Sequence, residues 1–172
     1  MKYFTAFAAA FFLAALGASA MPYVKVLGVT PDLVLIFAAC WAMVRGQGEG
    51  MWVVPMAGLL HDLSSSDPLG TSVLALSPIV LLAAAREVRP VDTEFVPTLA
   101  VVGAGSLAYG LLSMAILAAA GQAAPWPQSL LRVILPLVLV NALFTPIVYL
   151  PLQWLSPGPR PGMSRLGQTT SL

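Results

Sequence analysis

Charge is what this sequence has least of: 8 lysines and arginines, 7 aspartates and glutamates and one histidine among 172 residues. A net charge of +1 leaves no basic surface for nucleic acid, and no run of Lys/Arg is available for anionic lipid headgroups. Cysteine is almost absent. Cys40, the single one, lies inside an apolar run, which excludes an internal disulfide and a thiolate metal site and makes it buried filler. One imidazole with scattered carboxylates falls short of the three or four ligands a metal centre needs, so neither metal nor cofactor is expected. The hydrolase signatures are also missing. Ser64, Ser65 and Ser66 lie in a turn without a nucleophile elbow. His61 and Asp62 are neighbours that would point about 100° apart on a helix, so adjacency does not make them a catalytic pair. An enzyme is not expected.

Apolar residues fill the space that charge leaves. They make up 59% of the chain, with a mean hydropathy of +0.89, against roughly half in soluble domains, so the chain belongs in a membrane. Spanning a core of roughly 30 Å takes about 20 apolar residues. Stretches 3–21, 95–120 and 130–152 meet that outright, and 33–44, 51–63 and 71–85 do so with flanking residues. The reading is all-α, with about six transmembrane helices in a single domain over 1–156. A re-entrant hairpin formed by the short second and third helices is the alternative.

Loop charges orient the bundle through the excess of Lys/Arg on the cytoplasmic side. In a six-helix arrangement Lys2, Arg45, Arg86, Arg89, Arg160 and Arg165 share one side, whereas Lys25 lies on the other, with Arg132 near the start of the last helix there. Both termini are therefore expected in the cytoplasm. Trp41, Trp52 and Trp154 fall towards inner helix ends and Trp126 in an outer loop, as interfacial anchors would. Residues 157–172, rich in Gly, Pro and polar side chains, read as a disordered cytoplasmic tail. The first span has a second reading, since a lysine, an apolar core and Ala-Ser-Ala at 18–20 also describe a cleavable signal peptide. Within it Ala6, Ala10, Ala14 and Ala18 form a small-residue stripe suited to close helix packing. Ala100, Ala104 and Ala108 form a second stripe, and Ser106 with Gly110 a third.

Between the helices, Thr30-Pro31-Asp32 reads as a helix start, with Thr30 as cap, Pro31 at the first helical position and Asp32 at the positive end of the dipole. Asp67-Pro68 repeats the device, and Gly70 would let the following turn pack closely. Asp62 is the anomaly, because a carboxylate at the end of the third helix opposes its dipole. In one reading His61 or Arg132 on the same outer side is its charge partner, with Gly58 one turn earlier making room for a neighbouring helix. In the other, which the sequence favours, the carboxylate reaches water or bonds the serine hydroxyls and amides of the turn. In the last helix Pro136, Pro146 and Pro151 imply kinks, and Asn141 and Thr145 share a face from which both can bond to a neighbour or to a freed carbonyl.

The order of these features, "TPDLVLIFAACWAMVRGQGEG", "AGLLHDLSSSDPLGTSVLAL" and "RVILPLVLVNALFTPIVYLPL", resembles the rod shape-determining protein MreD family over roughly residues 1 to 155. The residues that carry the resemblance are Pro31 and Asp32, the Arg45-Gly46 turn, Gly58 and Asp62, Pro68, Leu69 and Gly70, and Asn141. His61 and the three serines lie outside the pattern. The resemblance implies a non-enzymatic, multi-pass subunit of the bacterial plasma membrane. Its implied partners are MreC, the RodA glycosyltransferase, a class B penicillin-binding transpeptidase and, indirectly, the MreB filament, in the elongation complex (elongasome) that supports cell shape and peptidoglycan synthesis in the cell wall. It also implies a helical bundle like that of an S component. The runner-up is functional: the vitamin-capturing S component of an energy-coupling-factor transporter. Its outward site would have to be built from Tyr23, His61, Asp62, Trp126 and Gln128.

Overall fold

The computed structural model describes residues 2–20, 23–65, 68–87, 95–121 and 126–155. Among them the chain is all-helical: α1 Lys2–Ser19, α2 Leu33–Arg45, α3 Gln47–Ser64, α4 Thr71–Glu87, α5 Phe95–Ala119 and α6 Trp126–Leu155. The six expected helices are present, with shifted ends. The third begins four residues earlier than its apolar run, because Gln47 to Gly50 supply a polar first turn. The sixth also begins four residues early, at Trp126, so this tryptophan opens a helix instead of sitting in a loop. Among the described residues, α5 and α6 alone are both long and apolar enough to cross a membrane by length and composition.

The shortest apolar helix, α2, is the core. Every residue from Leu33 to Met43 is buried, with α1, α3, α4, α5 and α6 packed around it. Its sequence, LVLIFAACWAM, explains why: a helix apolar on all sides has no face to offer to water and is stable only when enclosed. At 13 residues it is roughly 20 Å long, well short of a bilayer core, so both its ends stop inside the depth of the bundle. Cys40 is fully buried in it, as expected of filler.

Close approaches tighten the shell. Gly46, at φ +86° and ψ 170°, joins α2 to α3 through a single residue, in a backbone region open essentially to glycine alone. One helix-length away, a Cβ on Gly58 would stand 2.9 Å from the Val73 Cα and amide nitrogen, so α3 and α4 meet backbone to backbone there. The stripe of α1 is an internal contact: Ala6, Ala10 and Ala14 are buried against α2 and α3, while Ala18 is exposed. Ala100 and Ala104 are exposed and Ala108 is half-buried, so that stripe faces outward. Its opposite side, carrying Ser106 and Gly110, turns to the core, because the polar and smallest positions are the ones other helices need.

Two further expectations shift. Trp41 is not an interfacial anchor but a core residue, 5% exposed, stacked at an angle on Phe37 with the Arg45 guanidinium 5.3 Å from its ring centre. Trp52 and Trp154 are exposed, as anchors should be. Asp67 and the expected tail at 157–172 lie outside the described residues.

Backbone contact at Gly58 predicts a size-limited site. Gly58→Ala should cost about 1 to 3 kcal/mol, as overpacking does, whereas Gly17→Ala, where a Cβ meets nothing within 4 Å, should be neutral. Thermal melting of the purified protein checks this, and equal melting of the two variants would show that α3 and α4 are not in close contact.

Candidate functional site

At the end of the bundle where α2 begins, its amides need acceptors. Asp32 is the N-cap, and its Oδ1 accepts from the Leu35 amide at 3.0 Å. The cap is therefore Asp32 and not Thr30, because helical geometry starts only at Leu33 and the acceptor must sit three residues before the donor it serves. Pro31 precedes the cap. The Asp32 amide donates to Asn141 Oδ1 of α6 at 2.9 Å, and Asn141 Nδ2 donates to Ser106 Oγ of α5 at 2.9 Å. One fully buried amide side chain thus ties α2, α5 and α6 together. Thr145 donates to the Asn141 carbonyl at 2.8 Å, one of the expected backbone bonds of this face.

Asp62 follows the second of its two readings and bonds amides next in the chain. It is 2% exposed, and neither His61 nor Arg132 is its partner. Its Oδ2 accepts from the Gly70 amide at 2.7 Å and its Oδ1 from the Ser72 amide at 2.9 Å. The carboxylate of α3 is thus the N-terminal cap of α4. Gly70, at φ +96°, precedes that helix with no side chain of its own, so the acceptor has to come from elsewhere. A charge that is misplaced at the end of α3 is well placed at the positive end of α4. Gly58 serves the same contact by letting the two helices close. Gly70 itself has open space where a Cβ would be, so its role is its backbone angle and not close packing.

His61 bridges the two carboxylate-centred clusters. Its Nε2 stands 3.6 Å from Asp32 Oδ2, and its Nδ1 is 3.0 Å from Ser72 Oγ, which lies 3.2 Å from the Tyr109 hydroxyl. The ring packs edge-on to Tyr109, 6.0 Å between centres. The order Asp32, His61, Ser72 has the residue types of a hydrolase triad. Ser72 is fully buried, however, and lines neither of the two cavities described below; with His61 and Tyr109 it links α3, α4 and α5.

Ser72 and Tyr109 were not legible from sequence, since a serine in a first turn and a lone tyrosine in an apolar helix carry no signal. His61 stood out as the only histidine. Arg45 lies at the opposite end of α2, in its last turn, where a cation suits the dipole, and its Nη2 donates to the Leu155 carbonyl at 3.4 Å. Pro68 and Leu69 are exposed. Among the described residues no three His, Cys, Asp or Glu side chains are grouped to hold a metal ion.

Two cavities flank α2. One, of about 540 Å³, opens at the Asp32 end between α1, the 25–34 segment, the end of α3 and the start of α6. The other, of about 610 Å³, is an apolar groove between α1 and α6 whose floor is Phe37 and Trp41 and whose far end is Arg45. Of Tyr23, His61, Asp62, Trp126 and Gln128, only His61 lines the first cavity, so the five do not form one site.

The cap across helices predicts an asymmetric cost. Asp62→Ala leaves the buried Ser72 amide and the part-buried Gly70 amide without an acceptor and should destabilise by about 3 kcal/mol, while Asp62→Asn, which keeps one acceptor oxygen, should recover part of that. Denaturation of the purified variants decides; an Asp62→Ala protein as stable as the parent would mean that the carboxylate caps nothing.

Neither curated proteins nor solved structures give a match to this chain. A family model does, that of the rod shape-determining protein MreD, over residues 2–155. Asp32, Asp62 and Asn141, which meet around the polar end of α2 and the start of α4, are among the residues that carried the resemblance in the sequence. The chain belongs to the MreD family of rod shape-determining membrane proteins.

Proposed function

We propose that this protein is a non-catalytic, six-span subunit of the bacterial cell-elongation complex, in the plasma membrane with both termini in the cytoplasm. In that complex it holds an MreC-like protein close to a RodA-like glycosyltransferase and a class B penicillin-binding transpeptidase, and through them the MreB filament. The observation that carries this reading is the use of the family residues. Asp32, Asp62 and Asn141 are spent on bonds within the bundle, which suits a scaffold whose working surfaces are its outer faces. The inner side follows from the six Lys/Arg residues of the termini and the 45–49 and 86–94 connections. Large apolar side chains on the outside of the shell, among them Phe4, Leu81, Leu139 and Leu143, suit a lipid environment.

The apolar groove between α1 and α6 fits one transmembrane helix of a partner. Beyond its apolar walls it offers buried donors at the Arg45 end: Trp41 Nε1 and Arg45 Nε have no acceptor among the described residues. A helix seated there would be read by its shape and by an acceptor at its inner end. MreC is the partner assigned to it.

Filling the groove tests this. Ala9→Trp, on its α1 wall, should leave the protein folded and in the membrane while reducing co-purification with MreC several-fold; unchanged co-purification would remove the groove from the interface. Topology is checked separately: a reporter after Leu172 should behave as cytoplasmic and one near Gln122 as exported, and an exported C-terminus would contradict six spans with both ends inside.

A further inference from the structure

The cavity at the Asp32 end holds the two basic residues that break the charge pattern of the chain. Six of the eight Lys/Arg residues fall on one side of the six-helix arrangement. Lys25 and Arg132, separated by more than a hundred residues, are the two that do not, and both line this single cavity of about 540 Å³. No salt bridge or hydrogen bond engages either of them among the described residues. The carboxylate in the same wall, Asp32, is already committed to the Leu35 amide and to His61. The cavity wall therefore carries two cations that are paired with no side chain, and one carboxylate held back by the amide it caps. The sequence has no Lys/Arg cluster; the fold makes one.

Arg132 is also held by unusual backbone. Residues Leu130–Ile134 form a π-helical turn, in which the Leu135 amide bonds the Leu130 carbonyl, five residues back. Such a turn inserts one residue into a helix and re-aims the side chains it carries, and it occurs mostly at functional positions. Here it carries the arginine of the cavity. The rest of the wall is mixed: Thr30, His61, Ser64 and Ser65 add polar groups, while Gly17 from α1 and Val133 and Leu137 from α6 make an apolar side. The volume lies within the range of sites for small molecules or headgroups.

We propose that this cavity binds a phosphate group, with Arg132 supplying the forked donors that match phosphate oxygens and Lys25 the second charge that a phosphate monoester requires. Two sources share that chemistry: the headgroup of a membrane lipid, whose chain would leave along the apolar wall, and a soluble phosphate entering from the aqueous side. The site is independent of the groove assigned to a partner helix, because the two cavities share no residue but Leu33.

The test uses the full chain in phosphatidylcholine nanodiscs, with native mass spectrometry as the readout. In one arm the discs contain phosphatidic acid; in the other inorganic phosphate is titrated against discs without it. One phosphatidic acid retained per chain and not displaced by inorganic phosphate identifies a lipid source, whereas binding and displacement by inorganic phosphate identify a soluble one. In either case Lys25→Gln and Arg132→Gln should each weaken binding about tenfold or more. Both residues are exposed, so neither change threatens the fold. Gly17→Leu, at a position with open space for a side chain, should block binding while leaving both charges and the melting temperature in place. The proposal is overturned if neither probe binds the parent chain, or if binding is the same in all three variants.

Discussion

A helix buried on every side and too short to span a membrane has to end among other helices, and its unpaired amides must find acceptors there. That constraint, imposed by α2, organises the polar chemistry of this protein. Asp32 meets it by capping the helix. The bonds that hold Asp32 recruit Asn141 from α6 and, through it, Ser106 from α5, while His61 from α3 faces its carboxylate. Without water or a satisfied cluster at that end, each orphaned group would cost several kcal/mol at membrane depth. The same shortness leaves room beyond the N-terminus of α2, which is where the cavity with Lys25 and Arg132 lies.

The second cluster repeats the logic across a different pair of helices. A glycine at positive φ opens α4 without a side chain to cap it, and Asp62 reaches across from α3 to do so. His61 and Ser72 join this cluster to the first, so four of the five helices around α2, α3 to α6, meet at one end through side chains that bond backbone or one another. Such a network fixes the relative depth of helices in a solvent that supplies no hydrophobic force between them. A buried network whose members are satisfied is also a source of rigidity.

Helix number and order were legible in the sequence because apolar runs and Pro/Gly punctuation are local. Gly58 was legible for the same reason: a small residue one turn from a carboxylate on one face announces a close neighbour. The partners of Asp62 were legible only in part. Amides of the following turn were among the acceptor-seeking groups the sequence offered it, but no local pattern says that they open the next helix, because a cap supplied from another element leaves no sequence signal. Thr30 lost the cap to Asp32 by two residues, within the usual uncertainty of helix ends. The stripe at Ala100, Ala104 and Ala108 has the right spacing for packing, but spacing does not say which side of α5 meets the core. The grouping of Lys25 with Arg132 could not be read at all, since only the fold brings two such distant residues to one wall.

The central claim is that α2 is held at its polar end by a network that couples helices through Asp32. His61 and Asn141 both engage Asp32 from opposite sides and are not bonded to each other, so a double-mutant cycle with His61→Phe and Asn141→Leu, read by the unfolding free energy of the membrane protein, measures that coupling directly. A shared network predicts that the two changes are non-additive by about 1 kcal/mol or more. Additivity within about 0.5 kcal/mol would mean that the two sites act independently and that no network ties the helices at that end.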